Sequence, residues 1–156
     1  MDSSRFAHRS HALRSGRVCE PGRAYLLTAV THQRYPVFRD FLAARLLIDE
    51  LRRQHDSLAV ESLAWVVMPD HLHWLVILRD GSLASVMQRL KSRSAVRINQ
   101  ATHELSGQLW QKGFHDHALR KEEDLLGCAR YIVTNPLRAS LVKRLADYPH
   151  WDAIWL

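Results

Sequence analysis

Cysteine is scarce in this chain: Cys19 and Cys128 are the only two in 156 residues, too few for a disulfide framework and without the paired spacing of a thiolate metal site. No apolar run approaches the roughly 20 residues of a membrane-spanning helix, and the N-terminus has no apolar stretch of the signal-peptide kind. A long basic amphipathic segment suited to a lipid surface is missing too, as are internal repeats and low-complexity tracts. These absences exclude a disulfide-stapled secreted domain, a membrane span and a repeat array. They leave one soluble domain with its own core, expected in the cytoplasm. Acidic residues are also in deficit, 16 against 22 Lys and Arg, for a formal charge of +6 and a pI of about 9.8. Such a surface favours a polyanion, nucleic acid before membrane, and no small-molecule substrate is expected.

Residues 1–22, rich in Arg, His and Ser and ending in Glu20-Pro21-Gly22, read as a basic N-terminal arm, expected to be flexible. Residues 23–156 read as the single folded domain. Its first strand spans about 23–32, and the near-continuous apolar run there suits a central place in a sheet. Val37, Phe41, Ala44, Ile48 and Leu51 then recur at helical spacing. A hairpin follows, then a second helix after Asp80-Gly81-Ser82 with the stripe Leu83, Met87, Leu90, Ser94 and Ile98. A fourth strand is expected within 109–119 and a third helix over 121–135, ended by Pro136. The order is β-α-β-β-α-β with an added C-terminal helix. It predicts an α+β fold of ferredoxin-like type, an antiparallel sheet with helices on one face.

Two places hold residues suited to chemistry. In the hairpin, Trp65-Val66-Val67-Met68 and His71 to Leu78 flank the turn Pro69-Asp70, and strand alternation puts His71 and His73 on one side with Leu72 toward the core. A metal could bridge that pair, although His-x-His in a strand is often only composition, and the chain has ten histidines. In the third helix, Leu125, Ala129, Ile132 and Val133 form the buried stripe, leaving Tyr131 and Asn135 one turn apart on another flank, with Gly127 one turn earlier. His115-Asp116-His117 is a rival pair, but its central residue is charged and would face the core. Arg89, Arg93 and Arg97, four apart on the second helix, read either as a phosphate-facing stripe or as a solvated face.

The segments 67–75 (VMPDHLHWL) and 131–142 (YIVTNPLRASLV) resemble the two signature blocks of single-tyrosine transposases of the His-hydrophobe-His superfamily, and within it the REP-associated tyrosine transposases. Residues 25–38, 109–117 and 147–149 agree with further blocks, so the resemblance covers roughly residues 22–150. It implies His71, His73 and Asn135 as ligands of a divalent ion and Tyr131 as the nucleophile on single-stranded DNA, giving a 5′-phosphotyrosine and a free 3′-hydroxyl. Ligand softness alone would also suit zinc; the resemblance implies Mg²⁺ or Mn²⁺. It further implies a hairpin-forming palindromic DNA partner in the nucleoid. Contacts are expected from Arg89, Arg93, Arg97, Lys112, Arg120 and Arg138, and from Arg14 and Arg17 of the arm. The arm has Ser15-Gly16-Arg17-Val18 where part of the family has a Gly-Arg-Pro-Ser-type block. A monomer or a homodimer is compatible with this reading. The alternatives are a non-catalytic binder of structured DNA or RNA, and a nicking enzyme of the replication-initiator or relaxase type.

Overall fold

An almost wholly apolar segment, broken by one buried threonine, forms β1 (Ala24–Val30), which has a partner strand on each edge. The computed structural model describes residues 19–102, 107–120 and 122–155, so Arg14, Arg17 and most of the basic arm lie outside the described residues. After β1 come α1 (Phe41–Asp56), β2 (Val60–Met68), β3 (His71–Leu78), α2 (Leu83–Thr102) and β4 (His115–Leu119). Then follow α3 (Glu122–Val133), the short α4 (Asn135–Arg138) and β5 (Trp151–Ala153). The sheet order is β4-β1-β3-β2-β5, with every neighbouring pair antiparallel. The first six elements are thus the expected β-α-β-β-α-β arrangement.

Alternation along the strands divides the core between the two faces of the sheet. Leu27, Ala29, Leu72, Trp74 and Val76 pack with Ala44, Leu47 and Ile48 of α1 and with Val86, Met87 and Leu90 of α2. On the opposite face, Leu26, Leu75, Val66 and Met68 pack with Cys128, Ala129, Ile132 and Val133 of α3. The added C-terminal helix therefore covers the face that α1 and α2 leave open.

Three local departures from the sequence expectation have physical causes. Phe41, placed in the buried stripe of the first helix, is 62% exposed; Val37 and Phe38 are buried from a separate 3₁₀ turn, and α1 begins only after Asp40, whose carboxylate caps Ala43 N at 2.9 Å. The fourth strand starts at His115 and not at Leu109, because Gly113 takes a left-handed φ of 77°. Lys91 Nζ pins the resulting loop through the carbonyls of Gln111 (2.7 Å) and Gly113 (2.6 Å). The third helix is divided after Val133, since Pro136 has no N–H for the Ile132 carbonyl. β5 was not expected from the sequence; its three residues extend the sheet beyond β2.

Candidate active site

The turn between β2 and β3 is Pro69-Asp70, as expected, and it is anchored from outside the hairpin. Thr31 N and Phe38 N donate to the carbonyls of Asp70 (2.9 Å) and Pro69 (3.0 Å), which fixes where β3 begins. His71 and His73 then project on the α3 face, with ring centroids 4.8 Å apart, while Leu72 is fully buried on the other. Each Nδ1 has a partner: Asp70 Oδ1 lies 2.7 Å from that of His71, and Thr28 Oγ1 lies 2.8 Å from that of His73. Arg34 Nη1 approaches the second oxygen of Asp70 at 3.2 Å.

Asn135, the first residue of α4, brings the C-terminal helices to this pair: its Nδ2 lies 3.3 Å from His71 Nε2. Tyr131 is in the last turn of α3, partly buried, with the Arg138 guanidinium 4.0 Å from its ring centroid. Arg138 is itself held by the Thr134 hydroxyl and the Tyr131 carbonyl, both at 2.6 Å. Helix, break and short helix thus present Tyr131, Asn135 and Arg138 beside the strand that bears both imidazoles.

Burial acts first on His71 and outweighs the favourable Asp70 carboxylate, so its pKa is lowered and the ring is neutral, the form that ligates metal. Burial works against the charge of Asp70, but the His71 and Arg34 contacts prevail and hold its carboxyl below the usual range. Two imidazoles and an amide converging in this way fit a divalent ion that completes its shell with water or phosphate oxygens. Among the described residues no three His, Cys, Asp or Glu side chains form a group that could hold a metal. Cys128 and Tyr148 are unsuited as nucleophiles. Burial, with Asp124 adding to it, pushes the Cys128 thiol up to about 12, and burial pushes Tyr148, whose hydroxyl donates to the Val67 carbonyl, up to about 12.

The remaining sequence candidates are dispersed. His115 and His117 lie on the same sheet face, and His115 is cross-strand to Thr28, which is cross-strand to His73. Two strand spacings, roughly 10 Å, separate His115 from His73. Asp116 is buried, on the α1 and α2 side. Lys112 and His115 line a cleft of about 240 Å³ with Thr28 and Val30, next to the pair. Arg120 lies at the other end of β1, where β4 ends near Ala24. Arg89, Arg93 and Arg97 belong to α2, which covers the face away from the histidines. Arg97 does not form part of a free stripe: it donates to Asp49 at 2.6 Å and to the buried Glu50 at 2.8 Å, and Arg89 reaches Gln54 at 3.5 Å. Asp70 and Thr28 were missed as site residues, although a polar residue inside the apolar β1 and an acid adjoining the first histidine were visible signals.

Comparison with known proteins agrees with this geometry. The REP-associated tyrosine transposase of Escherichia coli K12 is 33% identical over 89 residues, 55% of this chain and 50% of that protein. A candidate REP-associated tyrosine transposase of Haemophilus influenzae is 29% identical over 101 residues, 58% of this chain and 57% of that one. The chain thus spans about half the length of the curated relatives it matches. A solved structure of a REP-associated tyrosine transposase bound to a REP hairpin superposes with a TM-score of 0.71 at 25% identity, covering 86% of this chain and 79% of that one. The family model for IS200-like transposases matches residues 22–135, a span that begins just before β1 and ends on Asn135 beside the histidine pair; the chain belongs to the IS200-like transposase family.

Proposed function

We propose that this protein is a metal-dependent endonuclease and strand transferase for single-stranded DNA, acting at hairpin-forming sequences through a covalent link to Tyr131. The observation that carries this reading is the 3.3 Å approach of Asn135 to His71 Nε2. It joins two segments 64 residues apart and sets the tyrosine helix against the imidazole pair. The solved relative bound to a REP hairpin supports DNA of that form as the partner. His71, His73 and Asn135 would hold Mg²⁺ or Mn²⁺, which when bound supplies Lewis-acid stabilisation of charge on the scissile phosphate.

The chain's own residues do the rest. Tyr131 Oη attacks phosphorus, a P–O bond to tyrosine forms and the P–O3′ bond breaks; the phenol loses a proton and the departing 3′ oxygen gains one. The downstream strand stays attached as a 5′-phosphotyrosine, so no bond energy is lost to hydrolysis. Attack by a second 3′-hydroxyl reverses these changes and joins strands. Arg138, stacked on the Tyr131 ring, orients the nucleophile and adds positive charge where phosphate arrives. Lys112, exposed in the cleft beside Thr28, would hold the strand that leads away. Arg97 and Arg89 join α2 to α1 and are left out of the DNA surface, whereas exposed Arg93 and Arg120 could meet only DNA that extends beyond the site.

The test is cleavage of a hairpin-bearing oligonucleotide with Mn²⁺. Tyr131→Phe should abolish cleavage and the covalent adduct while hairpin affinity stays within about twofold, since the hydroxyl alone is removed. Wild-type cleavage by that variant, or wild-type cleavage undiminished by chelator, contradicts the proposal. Hairpin binding without any adduct from the wild-type protein would make it a binding protein only.

A further inference from the structure

We propose that Asp70 and Thr28 are positioning residues that keep His71 and His73 protonated on Nδ1, so that both rings offer an unprotonated Nε2 to one point. The inference rests on the metal-assisted reading above. A carboxylate has lone pairs and no proton, so the hydrogen in the 2.7 Å contact between Asp70 Oδ1 and His71 Nδ1 belongs to the ring. Arg34 occupies the other carboxylate oxygen and leaves Oδ1 directed at His71. The far side of the ring agrees. Asn135 offers an amide N–H to His71 Nε2, which requires a bare acceptor there. One tautomer satisfies both contacts; the other would set a lone pair against the carboxylate.

His73 is held differently. It is 5% exposed, deeper than His71, and the hydrogen-bond partner of its Nδ1 is a neutral hydroxyl. Thr28 is directly opposite His73 in the β1–β3 ladder, so backbone pairing sets the distance between the side chains. With Nδ1 protonated, as proposed, Thr28 Oγ1 at 2.8 Å accepts from it, and the unprotonated nitrogen of His73 is Nε2. Partners of this kind raise ligand basicity and prevent ring rotation, and losing one weakens metal affinity by about 10- to 100-fold.

Two measurements on the full chain decide the matter. Long-range ¹H–¹⁵N correlation without metal, at mildly alkaline pH where the imidazoles are neutral, should show both rings protonated on Nδ1. An Nε2-protonated ring at either position overturns the proposal. Mn²⁺ titration followed by electron paramagnetic resonance should then show Asp70→Asn and Thr28→Val each binding about 10- to 100-fold more weakly, with Thr28→Ser restoring affinity. Wild-type Mn²⁺ affinity in both folded variants also overturns it. If Thr28→Val does not fold, Thr28→Ala against Thr28→Ser makes the same comparison. His73→Ala separates the two levels: wild-type protein binding Mn²⁺ no better than His73→Ala refutes the metal reading, while the ring protonation pattern still tests what Asp70 and Thr28 do.

Discussion

Tyr131 differs from the other tyrosines by its surroundings. Tyr25 and Tyr148 are tied into the fold, Tyr25 accepting from Glu20 N and Tyr148 donating to Val67, and Tyr35 is 59% exposed on a 3₁₀ turn. Tyr131 alone stands one turn from Asn135, under the flat guanidinium of Arg138. That stack restricts the ring, and a cation over an aromatic face at such a partly exposed site contributes about 0.5–1 kcal/mol. Arg138→Ala should therefore slow adduct formation roughly two- to fivefold at saturating DNA in single-turnover measurements. Arg138→Lys keeps the charge without the planar stack and should fall between the two. An unchanged rate in Arg138→Ala would remove the ring-orienting role. At this scale the histidine pair and Tyr131 were legible in spacing and in the signature blocks; the Thr28–His73 contact was not, because a hydrogen bond between strands depends on register, whereas Asp70 adjoins His71 in the sequence and was overlooked.

Among the elements, α2 shows most clearly how spacing can mislead. Arg89, Arg93 and Arg97 recur every four residues, which suits a phosphate stripe and a helix–helix contact equally. The sheet places α2 on the face opposite His71 and His73, and Arg97 and Arg89 reach α1 while Arg93 stays exposed. Glu50 is 1% exposed in α1, and Arg97 is its main counter-charge, supported by Arg53 at 3.9 Å. Arg97→Ala leaves that carboxylate buried with little compensation, so a loss of about 3 kcal/mol is expected, read as a lower urea midpoint. Hairpin affinity of the folded variant should stay within about twofold; a large loss with unchanged stability would return Arg97 to the DNA surface. The β2–β3 hairpin and central β1 were legible, since period-two alternation, an apolar run and a Pro-Asp turn all agree there. β5 was not, because three residues hold too little periodicity, and the helix break at Thr134 depended on one missing N–H at Pro136.

The molecule as a whole divides its labour between sheet faces: α1 and α2 build the larger core, and α3 closes the other face, carrying Tyr131 and leading into α4, whose Asn135 meets His71 of β3. Its acid response follows from that burial. His71 and His150 both titrate below the ordinary 6.5, each lowered first by burial, with Arg34 and Arg45 respectively adding to it and Asp70 opposing it at His71. As pH falls below 6.5 the unfolded chain takes up protons that the fold refuses, so stability declines until the depressed folded values are passed; above 6.5 neither group contributes. Asp70 acts in a separate window, its contribution being lost only as pH falls below the ordinary 3.8 and through its lower folded value. Urea midpoints of the metal-free protein should thus fall between about pH 7 and pH 5, and His150→Gln should flatten part of that slope. A midpoint constant across the window would contradict the burial of both rings. Among the described residues no helix is long and apolar enough to cross a membrane, and the net charge of +6 suits a polyanionic partner.

On the proposed mechanism Tyr131 itself becomes joined to DNA, because α3 and α4 bring it to the His71–His73 pair. The most direct measurement is to trap the complex of the wild-type protein with a hairpin-bearing single strand and Mn²⁺, digest it, and locate the nucleotide by mass spectrometry. A 5′-linked nucleotide is expected on the peptide containing Tyr131, and none when His73→Ala is treated alike. A nucleotide on another residue, or clean cleavage with no peptide carrying one, would contradict it.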